Sequence, residues 1–357
     1  MKVLHVDTAF SWRGGQNQVL LTALGQAARG HDVTVACRVG SALAGRLRAT
    51  SLRVAALPLR GDLWPPGILG LARELRREKP DVVQLHDPHA VGSGFLAAVL
   101  AGHPPLVATR RVDFSLRGPL SRGKYRGCAR VIAVSRAIAG VLEADGIEAP
   151  KLRLVYEGVP DRSPPTGGAE ALRALGVPQG APVVGNVAAL TDHKDHATLI
   201  AAAGIVVRAR PEVRFVIVGE GALRPELEAR VREGGLSGHV LFAGFRDDVD
   251  RLLPAFDVFC LSSHLEGLGT SLLDAMAFGR AVVATAAGGI PEAVEDGVTG
   301  RVVPVRDPAR LAQALLDLLG DPERRRAMGE AGRRRFLERF TADRMVDETL
   351  RVYEELR

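Results

Sequence analysis

The sequence predicts an α/β protein of two Rossmann-like domains facing a central cleft. Three observations predict it. Short apolar runs recur along the chain, stretches of helical periodicity separate them, and the rhythm halts at a proline- and glycine-rich segment before restarting. Apolar strands alternating with helices imply parallel sheets covered on both faces.

The first half opens with a strand at 3–6, a loop at 9–15, a helix over 16–28 that stops at Gly30, and a strand at 33–37. This βαβ unit is followed by strands at 54–57, 82–85, 106–109, 131–134 and 152–155. The segment 158–180, containing GVPDRSPPTGG, reads as the interdomain linker. The second half carries strands at 183–187, 214–218, 240–242, 258–261, 281–284 and 300–303. Helices fall between them at about 195–209, 223–234, 270–278, 290–295 and 308–319. Beyond Asp321 the pattern is helical and amphipathic, with Phe336, Leu337, Phe340, Met345, Val346, Leu350, Val352 and Tyr353 as expected buried positions. Two halves of this kind place ligand sites at the C-terminal ends of their strands.

At 357 residues, with 46% hydrophobic and 25% charged residues, each half can bury a core of its own and disorder is not expected. No apolar run reaches the length of a membrane span and residues 1–10 lack a signal-peptide core, so a soluble cytoplasmic protein is expected. Cys37, Cys128 and Cys260 are widely spaced and odd in number, which argues for buried small hydrophobes over disulfides or a zinc knuckle. The net charge of +6 is unevenly spread: between Arg110 and Arg130 lie seven cations against Asp113 alone, interleaved with Phe114, Leu116, Leu120 and Tyr125. Such a segment suits anionic lipid headgroups or an anionic acceptor, or is simply a solvated face. With few aromatics and no nucleic-acid-binding motif, no nucleic-acid partner is expected.

The densest cluster of chemistry is 262–291, SSHLEGLGTSLLDAMAFGRAVVATAAGGIP. If a helix starts near Thr270, Glu266 sits on the loop before it and Asp274 one turn inside, so both carboxylates can accept from the hydroxyls of a polyhydroxylated ligand. Between them Gly267, Leu268, Gly269, Thr270 and Ser271 offer backbone N–H groups at a helix N-terminus, a seat for a diphosphate. Lys194, after the first strand of the second half, can aim an ammonium at the same group. The loop from Trp12 to Gln16 holds Gly14 and Gly15 at a strand-to-helix turn, where backbone can approach a phosphate or sugar closely. His86 and His89 flank Asp87 and Pro88 at a strand end; without further Cys or His nearby no metal site is expected, His86 is assigned a hydrogen-bonding role beside the sugar, and His89 a structural one. Arg110 and Arg111 end the next strand, one of them available to an acceptor phosphate or carboxylate. Phe245 or Arg246 can cover a nucleobase, with Asp247 and Asp248 read as helix caps. Gly219 and Gly221 lack the third glycine of a dinucleotide fingerprint.

With these residues in place, the chain resembles the retaining glycosyltransferases of family 4, which have the GT-B architecture. The resemblance spans nearly the whole chain and is sharpest in EGLGTSLLDAMAFGRAVVATAAGGIPEAVEDGVTGRVVP. It implies that Glu266 contacts the donor sugar, Asp274 the ribose and Lys194 the diphosphate, that Gly15 lies near the diphosphate from the other domain, and that the last helix crosses back onto the N-terminal domain. The implied domains are 1–163 for the acceptor, 164–340 for the donor, and the returning helix 341–357. Asp274 stands where the family usually has Glu, Ala189 where many members carry an arginine, and Arg111 where many have a histidine.

The expected activity is transfer of a sugar from a nucleoside diphosphate donor to a hydroxyl of an envelope glycolipid, such as a lipopolysaccharide core, or of an oligosaccharide, with retained configuration. Glu266, Lys194, His86 and Arg111 are the expected catalytic set, with neither metal nor cofactor, and the protein is placed in the cytoplasm or at the inner face of the membrane. The alternatives are a nucleotide-sugar epimerase of the same shape and a non-catalytic nucleotide-sugar or glycan binder.

Overall fold

The computed structural model describes the whole chain, residues 1–357. It divides into two compact units, Met1–Gly158 with Ala342–Arg357, and Val159–Thr341.

The first unit is built on a seven-stranded parallel sheet of β1 (Lys2–Asp7), β2 (Asp32–Arg38), β3 (Arg53–Leu57), β4 (Val82–Leu85), β5 (Leu106–Arg110), β6 (Arg130–Ala133) and β7 (Leu152–Leu154). The strand order is β3-β2-β1-β4-β5-β6-β7, so the direction of winding reverses between β1 and β4. The inner strands β1, β4, β5 and β6 are buried almost end to end because helices cover both faces. Side chains alternate in facing: Leu4, Val6, Val83, Leu85 and Ala108 enter one core, whereas Val3, Val82, Val107 and Ile132 enter another beneath the helix Ala342–Glu354. That last helix seats Met345, Val346, Leu350, Val352 and Tyr353 in the second core. A side chain at Gly25 would stand 2.6 Å from Val346 Cγ2, so the glycine lets helix Gly14–Ala28 pack closely against the last one. Arg29 ties the same pair of helices together through Asp343 (3.0 Å) and Asp347 (2.7 Å).

The second unit carries a six-stranded parallel sheet of β8 (Val183–Val187), β9 (Arg214–Val218), β10 (Val240–Gly244), β11 (Val258–Leu261), β12 (Ala281–Thr285) and β13 (Gly300–Val303), in the order β10-β9-β8-β11-β12-β13. Here the winding reverses between β8 and β11. The fold class is the doubly wound one expected, with strand positions within a residue or two of those read from periodicity.

Three expectations need correction. Residues 158–180 are not a free linker: the chain changes unit at Gly158, and helix Gly168–Ala174 belongs to the second unit. Long-range ion pairs anchor the segment, Asp161 to Arg333 at 2.7 Å and Arg162 to Asp250 at 2.5 Å and to Asp274 at 2.9 Å. Leu337 is exposed, whereas the other expected C-terminal core residues are buried. The basic segment is also less free than its composition suggests, since Leu116, Tyr125 and Arg110 are buried. Most of its other cations are committed, Lys124 to Asp62 (2.6 Å), Arg126 to the Gly146 carbonyl (3.0 Å) and Arg130 to Glu355 (2.9 Å). The three cysteines are free and buried, and burial pushes each thiol up. No helix is long and apolar enough to cross a membrane.

Candidate active site

In an open parallel sheet, the loops that leave the strand ends on either side of a winding reversal splay apart and open a crevice. In the second unit those loops follow β8 and β11, and they are laced together: the His264 N–H donates to the His193 carbonyl (3.0 Å), and Ser262 Oγ to the Lys194 carbonyl (3.0 Å). The lacing brings Lys194 and Glu266 side by side. Lys194 Nζ donates to Glu266 Oε2, which also accepts from Ser263 Oγ at 3.1 Å. Both side chains keep a window to solvent, 18% for Lys194 and 11% for Glu266.

The helix after this loop runs Thr270–Ala277, starting where the sequence places it. Gly269 holds the N-cap at φ 92°, a left-handed conformation that side chains resist, and no side chain caps the helix. The first N–H groups of the helix, at Thr270 and Ser271, are therefore left for another acceptor. Asp274 lies one turn in, as expected, but its Oδ1 is bonded to Arg162, whose guanidinium stacks over Phe278 at 5.4 Å. Burial pushes the Asp274 carboxyl up to about 7, with Arg162 pulling the other way. The partnership with Arg162 is 112 residues distant in sequence and had no local signal.

Gly219 and Gly221 support this site from behind. A Cβ at Gly219, where φ is +146°, would fall 2.0 Å from the Ala188 carbonyl oxygen, and one at Gly221 2.3 Å from that of Leu190. Both are needed so that the loop 188–194 can lie on the β9 turn. Arg246 is not open to a base face, because Asp248 takes its Nε and Nη2 at 2.7 Å each. Asp248 accordingly does not cap the following helix. Phe245 beside it is exposed and keeps a ring face to offer.

In the first unit the corresponding loops follow β1 and β4. Asp87 accepts from Thr8 N (2.7 Å) and Thr8 Oγ1 (2.7 Å) and caps helix Pro88–Ala101, while buried Asp7 accepts from Gln16 Nε2 (3.0 Å) and Ala9 N (3.1 Å). These bonds fix the loop that carries Gly14 and Gly15. Burial, with the charge of Asp87, pushes the Asp7 carboxyl up to about 6. Gly15 lies beside Arg111: an added Cβ would meet only Arg111 Cδ at 3.8 Å, an ordinary contact.

His86 departs from its expected role. Arg111 Nη2, a donor only, lies 3.2 Å from His86 Nδ1, so Nδ1 accepts and the proton sits on Nε2. Nε2–H then donates to His5 Nδ1 (2.8 Å), and His5 Nε2–H to Gln26 Oε1 (2.9 Å). Gln26 Nε2 donates to the Tyr353 hydroxyl (3.3 Å), which donates to Gln84 Oε1; Gln84 Nε2 ends the run on Thr109 Oγ1 (2.9 Å). Every donor meets an acceptor along this buried chain. Both imidazoles are held neutral, His5 lowered to about 4 and His86 well below its ordinary value, in each case first by burial and with the Arg111 charge acting the same way. With both ring nitrogens taken, His86 does not reach a sugar; it positions Arg111. Arg111 also donates to the His86 carbonyl (3.0 Å) and to Glu157 (2.9 Å). Arg110 is buried beneath the Phe114 and Tyr125 rings and is structural. His89 pairs with Asp62 at 2.6 Å, in keeping with a structural place.

Comparison with known proteins agrees with this geometry. A model of the group 1 glycosyl transferases matches residues 169–335, and one of glycosyltransferase family 4 matches 12–162. The 2-deoxystreptamine N-acetyl-D-glucosaminyltransferase of Streptomyces fradiae is 30% identical over 315 residues, covering 81% of this chain and 75% of that one. The chain belongs to the family 4 glycosyltransferases. A second relative, the lipopolysaccharide core biosynthesis glycosyltransferase LpsE of Rhizobium meliloti, is 33% identical over 178 residues, so the match spans about half of each chain (50% and 51%). The structure of Anabaena Alr3699/HepE with UDP and glucose aligns with a TM-score of 0.88 at 22% identity, over 99% of this chain and all of that one. At that identity it shows the shared GT-B fold. In this glycosyltransferase, the winding reversals of both sheets carry the residues just described.

Proposed function

We propose that this glycosyltransferase takes a nucleoside diphosphate sugar as donor and transfers the sugar, with retained configuration, to a hydroxyl of an envelope glycolipid or oligosaccharide. The observation that carries the reading is the Lys194–Glu266 pair beside an uncapped helix N-terminus, at the winding reversal of the second sheet. With no ligand bound, the two charges neutralise one another. A bound donor exchanges that pair for two better-matched ones, the diphosphate taking Lys194 and the amides of Thr270 and Ser271, and a sugar hydroxyl donating to Glu266. The free Oδ2 of Asp274 accepts from ribose, and the exposed Phe245 ring stacks on the base.

In the reaction, the bond between the anomeric carbon and the diphosphate oxygen breaks with its electron pair leaving on the phosphate. Lys194 and the helix N-terminus stabilise that charge, so the scheme calls on no metal ion. The acceptor oxygen attacks the oxocarbenium-like carbon from the face the diphosphate leaves, and its proton passes to the departing phosphate. The catalytic contribution is positioning and electrostatic stabilisation. Retention is proposed on the stereochemistry of the family.

Acceptor chemistry at a membrane surface is supported by the likeness to LpsE and by Phe114, Arg117 and Leu120, exposed on and before helix Gly118–Arg126, with Leu120 87% exposed. A cytoplasmic protein that docks at the inner membrane face would present this helix to anionic headgroups.

The test is turnover with a panel of nucleoside diphosphate sugars and a glycolipid extract, comparing wild type with Glu266→Gln. A loss of about a hundredfold or more with the fold intact is expected; near-normal turnover removes Glu266 from the donor site. Formation of a new sugar nucleotide from donor alone identifies an epimerase. Tight binding without turnover of any donor and acceptor identifies a binding protein.

A further inference from the structure

The second unit has another cavity, of about 570 Å³, at the opposite ends of its strands from Lys194 and Glu266. Its walls are the turn into β12 (Gly279, Arg280, Ala281), Asp257 just before β11, and one face of helix Pro322–Arg339 from Pro322 to Arg334. Five arginines line it, Arg280, Arg325, Arg326, Arg333 and Arg334, against the carboxylates Asp257 and Glu330.

Two of the arginines are neutralised. Arg325 pairs with Asp257 at 3.2 Å, and Arg333 with Asp161 at 2.7 Å. Arg333 and Arg280 also cap helix Thr270–Ala277 and its last turn, donating to the carbonyls of Ala277 and, at 3.2 Å, of Phe278. Arg280 nevertheless has no carboxylate bonded to it; burial lowers its pKa, the nearby Asp257 charge raises it, and Arg325 lowers it again. Arg326, Arg334 and Glu330 make no hydrogen bond or ion pair of their own. The uncompensated groups are therefore Arg280, Arg326 and Arg334 against Glu330, an excess of two positive charges facing one space. A guanidinium surplus in a concave site matches the fork geometry of phosphate oxygens. The helix that begins at Pro322 adds the positive end of its dipole.

We propose that this cavity is a second anion site, which takes a small ligand bearing about two negative charges on phosphate, distinct from the donor site. The proposal stands on the cavity and its charge, and does not depend on the donor reading. The same chemistry is carried by a free di- or triphosphate and by the headgroup of an anionic phospholipid.

The test is calorimetric titration of the full chain with inorganic pyrophosphate, at low and at physiological salt. Wild type should bind, and Lys194→Ala, which changes only the opposite strand ends, should retain binding. The double variant Arg326→Ala/Arg334→Ala breaks no hydrogen bond or ion pair of the fold, and made on Lys194→Ala, where the donor site is disabled, it should bind about tenfold more weakly or worse than Lys194→Ala alone. Glu330→Gln removes the lone opposing carboxylate and should bind more tightly. Sedimentation with phosphatidic acid vesicles, lost in the double variant while pyrophosphate does not bind, would keep the cavity and assign its phosphate to a lipid. Pyrophosphate binding that Lys194→Ala retains but the added double variant leaves untouched would overturn the proposal, as would an absence of binding by Lys194→Ala in both arms.

Discussion

Tyr353 carries no charge and lies far along the chain from any expected site residue, yet it is the joint of the buried polar chain in the first unit. The sharpest perturbation is Tyr353→Phe, which deletes one oxygen. The ring is fully buried and Phe keeps it, so the apolar packing changes little. What changes is that Gln84 Oε1 loses its donor and Gln26 Nε2 its acceptor, both deep in the unit. Each buried group left unpaired costs about 1–3 kcal/mol, so the variant should lose about 2–6 kcal/mol. For a domain of this size that is a fall in Tm of roughly 4–24 °C. The assay is thermal and urea unfolding of the transition assigned to the first unit. Gln84→Leu and the double variant complete a cycle, in which the pair should couple by about 1–3 kcal/mol because they share the missing bond. A Tyr353→Phe protein within about 0.5 kcal/mol of wild type, or a double variant that is merely additive, would refute the network.

Three further outcomes follow from the second unit. His196 is buried with Nε2 on Asn186 Oδ1 (3.1 Å), and burial lowers its pKa to about 4. The unfolded chain therefore takes up the proton first as pH falls below 6.5, and the stability His196 provides, full above that value, drains towards pH 4. Between pH 7 and pH 5 the wild type should lose about 2 kcal/mol that His196→Gln does not lose; parallel pH profiles by urea unfolding would contradict this. Gly219→Ala must displace the loop 188–194, because both φ and the Ala188 carbonyl forbid the methyl. A stability loss of about 2–4 kcal/mol with weakened nucleoside diphosphate binding is expected, and unchanged binding by titration would show that the loop does not need this support. Asp274 ionises near pH 7, so a nucleotide should gain affinity over its 2′,3′-dideoxy analogue as pH rises through that value. A constant difference from pH 6 to 8.5 would take Asp274 away from the ribose.

What was legible in the sequence was what repeats or lies close along the chain. Apolar periodicity placed the strands, and the spacing of Glu266, Gly269 and Asp274 placed one carboxylate before the helix and one inside it, because a loop and a single turn are local geometry. Lys194 could be proposed from its place after a strand. Local reading failed where composition stood in for partnership. The basic segment looked like an open surface, although Arg110 is buried and Lys124 and Arg130 are committed to Asp62 and Glu355. The 158–180 stretch looked like a linker, although Asp161 and Arg162 are held by residues 172 and 112 positions away.

The failure at His86 shows why. A histidine at the end of a strand, near an expected ligand, offers two nitrogens, and nothing nearby in sequence indicates that both are spent. They are spent because β4 lies beside β1, which sets His5 and Gln84 opposite one another, and because the last helix brings Tyr353 onto that same face. Three of the five bonds in the run join residues separated by 81, 269 and 327 positions. The first is fixed by strand order and the other two by the docking of the last helix, neither of which periodicity encodes. The direction of the run is fixed at one end only, by an arginine that can donate and never accept. Arg111 therefore sets the tautomer of His86, His86 that of His5, and the sequence of donors then continues to Thr109. Replacing Arg111 by Lys keeps the charge yet loses the fork that holds His86 Nδ1, the His86 carbonyl and Glu157 together. The neutral, Nε2-protonated state of His86 should then no longer be unique. Imidazole nitrogen chemical shifts would report it directly: one tautomer in wild type and a mixture in Arg111→Lys is the outcome this geometry requires, and a single unchanged tautomer would show that the polarity is set from the Tyr353 end instead.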